Sequence, residues 1–338
     1  MTGPRFGVWA PVYGNHGARD HPEDAPDASY RRTRDLIVTA EAAGFDSTLV
    51  AQHVVHPSAV EDDVLETWST LAGLAEATSR IELIGAIKPL LFNPLVFAKL
   101  AGNIAEIAEG RLSINVVSGW FLPELEALGI EVPEHDDRYV HTRQWLQTVT
   151  ALWAGKPVTI GGGDRQPALV RPAPAVVPPV YVGGESEPGR ALAAATADVF
   201  FINGRPFGDV VDVIDDLRSR PRDGVPLRFG LSAFVIARDT EEEALAELRH
   251  LQSLVDAERR PEISGGTDPK TQMYRVLADT SRVGSNGGTL AGLVGSHEQV
   301  AERIAVFHDA GIELFMLQFQ PLEAELHRFA EHIIPRFR

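Results

Sequence analysis

The chain has 338 residues, 44% of them hydrophobic and 23% charged, enough to bury a sizeable core as one large domain or two ordinary ones. Its formal net charge of −16 argues against nucleic acid or an anionic membrane surface as a main partner. Cysteine is absent, which removes disulfides, thiolate nucleophiles and cysteine-ligated metals from consideration.

Met1 to Phe6 shows no basic stretch leading into an apolar core, and no apolar run approaches the roughly 20 residues of a membrane span. A cytoplasmic protein is the expectation. The first predicted strand is Phe6 to Pro11, followed by loop-like residues 12–28. A helix from about Ser29 to Ala43 stops at Gly44, the residue type favoured just past a helix end. Strand two is Phe45 to Gln52, helix two Thr67 to Ala77, strand three Ile81 to Ile87, helix three Leu95 to Ile107. Strand four, Leu112 to Val117, runs into Ser118-Gly119-Trp120. A short extra helix over Phe121 to Leu128 and a strong one ending at Trp153 come next. After a Gly- and Pro-rich excursion at 155–179, strand five is Val180 to Val182 and the sixth Val199 to Ile202, each followed by a helix. The seventh is read as one run, Leu227 to Ala237, leading to a charged amphipathic helix capped by Asp239 or Thr240. Residues 259–292 break the rhythm; a helix to Ala310, strand eight at Leu314 to Leu317 and a last helix close the pattern. Eight strands alternating with helices, with no linker-like composition break, predict a single domain over 1–338. Its fold class is α/β, a (β/α)8 TIM-like barrel with insertions, the one at 259–292 being a mobile lid. An open doubly wound sheet is the competitor, but Pro11 to Gly17 lacks the Gly-x-Gly-x-x-Gly turn that would favour it.

In such a barrel the chemistry lies on the loops after the strands. Those positions carry amides, hydroxyls and aromatics rather than carboxylates: Tyr13, Asn15, His16, Gln52, His53, His56, Asn115, Ser118, Trp120, Asn203, Gln318 and Gln320. This set suits a cofactor pocket better than an acid–base hydrolase site. Asn115 puts an amide in an apolar strand, so it is either bonded to neighbouring backbone or meets a polar ligand at the barrel mouth. Gly183-Gly184-Glu185-Ser186 lies between a strand and a helix start, as a tight turn or as a phosphate cradle of free N–H groups and a serine hydroxyl. His53 and His56 near Glu61, Asp62 and Asp63 raise a metal reading, but the other strand ends supply almost no further ligands. No metal is expected; a histidine bonding a cofactor or substrate, and a solvated acidic run, are the simpler account.

Ile114-Asn115-Val116-Val117-Ser118-Gly119-Trp120, Glu124, Glu134-His135-Asp136-Asp137-Arg138-Tyr139, Gly183-Gly184-Glu185-Ser186 and Phe234 to Thr240 together resemble the bacterial luciferase-like flavin monooxygenases along nearly the whole chain. The nearest subgroup by these motifs is the dimethyl sulfone monooxygenases, with pyrimidine oxygenases and alkanesulfonate monooxygenases as cousins. The resemblance implies a reduced-FMN-dependent enzyme that uses O2 as co-substrate. It also implies a two-component system, in which a separate NAD(P)H:flavin reductase would supply the flavin. The expected reaction is oxygenation of a small neutral substrate such as a sulfone, with C–S or C–N cleavage possible. It further implies Gln52, His53 and Asn115 as catalytic groups near the flavin ring, and Glu124 in contact with the flavin region. Arg138, Tyr139, Gly184 and Ser186 would hold the ribityl phosphate; Trp120, Ser232 and Phe234 would meet the substrate. Three departures bear on the substrate. Ala86 stands where pyrimidine oxygenases carry threonine. His53 replaces an arginine of the sulfone enzymes. Ser232 and Phe234 replace an arginine and a histidine of the alkanesulfonate enzymes, while the sulfone enzymes have asparagine at Ser232. A deazaflavin-dependent oxidoreductase on the same fold and a flavin-binding protein without turnover are the alternatives. A homo-oligomer, dimer or tetramer, is the expected assembly.

Overall fold

The computed structural model describes residues 3–24, 26–57, 61–119, 121–161, 164–258 and 282–338. Eight parallel strands close into a barrel: β1 (Arg5–Trp9), β2 (Ser47–Val50), β3 (Glu82–Ile87), β4 (Leu112–Val116), β5 (Val180–Val182), β6 (Val199–Ile202), β7 (Arg228–Phe234) and, at the end of the chain, β10 (Ile312–Gln318), which seals the ring against β1. Around it lie α1 (Tyr30–Ala42), α2 (Thr67–Ala77), α3 (Pro94–Ile107), α4 (Leu122–Ala127), α5 (His135–Trp153), α6 (Glu187–Thr196), α7 (Phe207–Ser219), α8 (Glu241–Glu258), α9 (His297–Ala310) and α10 (Leu322–His332). The expected (β/α)8 barrel is therefore the architecture. No helix among the described residues is long and apolar enough to cross a membrane.

Local chemistry explains the boundaries. Ser29 caps α1 by accepting from the Arg32 N–H, and Ser296 with Gln299 forms a reciprocal capping box at α9. Thr240 and Glu243 cap α8 in the same way. The helices bury apolar faces against the barrel, and Trp145 and Trp153 on α5 donate their indole N–H groups to Phe92 and Ala98 carbonyls, so the aromatic surface is buried without stranding a donor. At the amino ends of the strands Glu82 accepts from Arg5 at 2.6 Å, Ser113 at 2.6 Å and Tyr181 at 3.0 Å, a polar floor closing the end opposite the site.

The seventh strand differs from its expected single run. It leaves the barrel at Val235, whose N–H still bonds Gln318 O at 3.0 Å; its continuation β8 (Ile236–Arg238) pairs with β9 (Val294–Ser296) in a separate two-stranded sheet. The reason is a second apolar cluster, in which Phe234, Ile236 and Val294 pack with Ala244 and Leu251 of α8. The bend sends the chain out to α8, and β9 brings it back. Of the expected insertion, 259–281 lies outside the described residues. Residues 282–292 are bonded to the barrel rim: Ser285 N–H donates to Gln318 Oε1 (3.0 Å), Gln318 Nε2 to Ser285 Oγ (2.7 Å), and Gly204 N–H to Asn286 O (2.8 Å). Gly287, at φ +87°, lies so close to Gly204 that a side-chain Cβ would sit 2.6 Å from the Gly204 carbonyl carbon.

Candidate active site

The strands' carboxyl ends open into a cleft of about 240 Å3. One wall is the loop from β5 to α6. Gly189, in the first turn of α6, packs on the Gly184 peptide: a Cβ there would come within 2.6 Å of the Gly184 carbonyl carbon. A Cβ on Gly184 would in turn meet the Tyr139 hydroxyl at 2.7 Å. Two glycines thus let the backbone lie flat at the helix start, with Tyr139 over it. Ser186 is the N-cap of α6, yet its hydroxyl makes no capping bond and is buried without a hydrogen-bond partner. Glu185 turns away from the cradle: it accepts the Asn203 N–H at 2.7 Å and pairs with Arg205. The result is a helix N-terminus with an unspent hydroxyl beside it, which favours an anion.

Asn115 stands on β4 beside Ala86 of β3 and Tyr181 of β5 in the strand register. Its amide oxygen is buried and has no partner. Of the two readings of this residue, backbone satisfaction of that oxygen is absent, and the residue lines the cleft. Gln52 and His53, past β2, line it too. Gln52 Oε1 is occupied by the Lys88 N–H at 2.5 Å.

Behind His53 is a group that the spacing of residues does not announce. Lys88, past β3, pairs with Glu124 of α4, and His53 Nδ1 lies 3.5 Å from Lys88 Nζ and 3.6 Å from Glu124 Oε1. The Val54 N–H donates to the same Oε1 at 2.6 Å. Burial alone would raise the Glu124 pKa, but His53 and the Lys88 charge overcome it and hold the carboxyl at about 2. Burial, then the Lys88 charge, pushes His53 down to about 4 against the pull of Glu124, so the ring is neutral at pH 7. Burial likewise lowers Lys88, opposed by Glu124.

The expected site residues therefore divide. Gln52, His53, Asn115, Tyr139, Gly184 and Ser186 share one cleft wall or another. Glu124 is fully buried behind the wall, its oxygens taken by Lys88 and Val54, with His53 beside it. Arg138 is also buried and donates to Gly119 O at 2.9 Å, bracing the turn after β4 rather than lining the cleft. Ser232 and Phe234 are fully buried and absent from the wall, because residues 284–286 fold over the end of β7; Ser285 and Asn286 line the cleft there instead. Trp120 lies outside the described residues. Asn15 and Gln320 hold the first loop, bonding Asp24 O and the Ala18 peptide. Lys88, Ser285 and Asn286 escape a sequence reading, the first because a lysine after a strand is ordinarily solvated, the others because a glycine-rich stretch reads as a spacer. Among the described residues no group of three or more His, Cys, Asp or Glu side chains is placed to hold a metal ion.

Over residues 5–314 the chain matches the family model described as luciferase-like monooxygenase. It is 29% identical to an FMNH(2)-dependent dimethylsulfone monooxygenase of Pseudomonas fluorescens (strain Pf0-1), the alignment covering 99% of this chain and 94% of that one. Among solved structures, riboflavin lyase (RcaE) superimposes with a TM-score of 0.83 at 20% identity, over 100% of this chain and 92% of the other. DmoA from Hyphomicrobium sulfonivorans does so with a TM-score of 0.77 at 18% identity, over 100% and 88%. A family match running from the first barrel strand into the last, on a closed barrel whose cleft lies at the strands' carboxyl ends, makes this chain a member of the luciferase-like monooxygenase family.

Proposed function

We propose that this monooxygenase depends on reduced FMN supplied by a separate NAD(P)H:flavin reductase, and that it uses O2 to oxygenate a small neutral substrate such as a sulfone. The observation that carries the reading is a pair of buried oxygens without protein partners along one cleft, Ser186 Oγ and Asn115 Oδ1, because buried polar atoms are nearly always satisfied by something. The donor set fits FMN. The α6 start, with Gly184, Ser186 and Tyr139, suits a phosphate, and Asn115, Gln52 and His53 suit the polar edge of a flat heterocycle. The name of the Pseudomonas fluorescens relative agrees with this cofactor and with a sulfone.

When bound, reduced FMN supplies the reaction with O2; the protein binds, orients and keeps water out. Trp9, Leu49, Ala51 and Phe201 give the cleft an apolar lining beside Asn115, and Asn115 offers a fixed amide next to the small Ala86. Substrate charge follows from the wall. Among the described residues its two ionised side chains, Lys88 and Glu185, are both paired inside the protein, with Glu124 and Arg205. An anionic head group would meet no uncompensated cation among the described residues of the wall, and its desolvation would go unmatched by them. A neutral head with one or two acceptor oxygens can instead use the amides and hydroxyls of Ser285 and Asn286. The test is O2 consumption with a flavin reductase and dimethyl sulfone, a cyclic amide or a short alkanesulfonate, together with titration by FMN, reduced FMN and a deazaflavin. Binding of the deazaflavin alone, or no substrate-dependent O2 uptake, overturns the cofactor reading; a clear preference for the sulfonate overturns the neutral-substrate reading.

A further inference from the structure

Lys88 lies in the cleft wall and Glu124 directly behind it. Lys88 is 4% exposed and Glu124 0%. A buried ion pair loses the hydration of both charges, and apolar residues of similar volume often serve stability as well or better. Here the pair links three elements at the mouth. Lys88 follows β3, Glu124 belongs to α4, and Glu124 Oε1 also holds the Val54 N–H of the loop after β2. Both charges face the same ring nitrogen, His53 Nδ1, at 3.5 and 3.6 Å.

We propose that Lys88 is a positioning residue of the site: bonded to Glu124 beside His53 Nδ1, it presents the imidazole to the ligand as a neutral hydrogen-bonding group and ties α4 to the end of β3. The surroundings of the ring support this. His56, from the same loop, adds a weak repulsion of positive charge. Tyr13, from the loop after β1, and Phe121, just before α4, approach edge-on with ring centroids at 6.0 and 6.2 Å. Burial is the first influence on the ring; beside it, the charges of Lys88 and Glu124 act in opposite directions. Without Lys88, Glu124 would be left as the dominant neighbour and would draw a proton onto His53. A charged imidazole in a cleft otherwise balanced in charge would favour anions, so the inference extends the neutral-substrate reading and rests on it for its functional meaning.

The experiment reads the ring directly in the protein without ligand, by NMR titration of the His53 C–H resonance in wild type, Lys88→Met, Lys88→Arg and Glu124→Gln. Loss of a cation at this distance raises a neighbouring pKa by about one unit or more. His53 is therefore expected to titrate higher in Lys88→Met, to stay near the wild-type value in Lys88→Arg, and not to rise in Glu124→Gln. Lys88→Gln serves in place of Lys88→Met if the methionine variant does not fold. In turnover assays the methionine variant should gain an acid limb that Lys88→Arg removes, with FMN affinity largely kept. An unchanged His53 titration in both neutral variants overturns the proposal, as does an equal rise in Glu124→Gln. Because the titration needs neither flavin nor substrate, failure of the monooxygenase reading would show only in the turnover arm.

Discussion

Among the described residues three serines start helices, and one of the three leaves its hydroxyl unused. Ser29 and Ser296 accept N–H groups from the first turns of α1 and α9. Ser186 does not, although its hydroxyl is buried where a cap bond would be worth about 1 kcal/mol. A phosphate at the α6 start would accept the bond that the helix declines. Ser186→Ala and Tyr139→Phe are accordingly expected to weaken FMN binding about ten- to hundredfold, the effect of roughly 1.5–3 kcal/mol for a hydrogen bond to a charged group. Flavin fluorescence titration measures this, and unchanged affinity in both variants would move the phosphate elsewhere. Arg138, which braces Gly119, should affect binding at least through that turn. Asn115 makes the opposite forecast. Asn115→Leu removes the amide but keeps the volume, so turnover should fall more than FMN affinity; a variant with normal turnover would make Asn115 a structural residue.

At the level of elements the instructive place is the end of β7, where the wall comes from a segment distant in sequence. Gly287→Ala would put a Cβ against the Gly204 backbone at φ +87°, a conformation that L side chains rarely adopt. Such strain costs on the order of 1–3 kcal/mol. The expected outcome is a raised KM with FMN affinity near wild type, because Ser285 and Asn286 would shift while the α6 cradle would not; steady-state kinetics beside flavin titration separates the two. Normal KM would show that the 284–288 turn does not shape the substrate side. The same place marks the limit of what the sequence reveals. The strand–helix rhythm and the glycine stop at Gly44 were legible because hydrophobic period and helix-ending chemistry are local. So was the Gly183 to Ser186 turn, whose chemistry lies in four consecutive residues. Ser232 and Phe234 read as mouth residues because nothing local shows that 282–292 folds back over them. Lys88 and Glu124 are 36 positions apart and become a pair only when β3 and α4 meet.

For the molecule as a whole, a net charge of −16 would suggest gain from mild acidification through reduced self-repulsion, but two buried histidines oppose it. Burial holds His16 at about 4, helped by the Arg32 charge and opposed by a backbone carbonyl at Ala10. Burial and Lys88 hold His53 at about 4. Both values lie below the ordinary 6.5 of the unfolded chain. The folded state therefore binds fewer protons than the unfolded state between about pH 6.5 and 4, and stability falls as pH drops through that window. Glu124 acts lower: with its carboxyl at about 2, its contribution is present above the unfolded value of 4.5 and is lost as pH falls from there toward 2. Urea denaturation at pH 7, 5.5 and 4.5 should show a falling midpoint that begins well above the carboxylate range. Replacing His16 and His53 together by asparagine should flatten the upper part of that fall and leave the part below pH 4.5. A midpoint that holds or rises from pH 7 to 4.5 in the wild type would mean that reduced charge repulsion outweighs the two neutral rings.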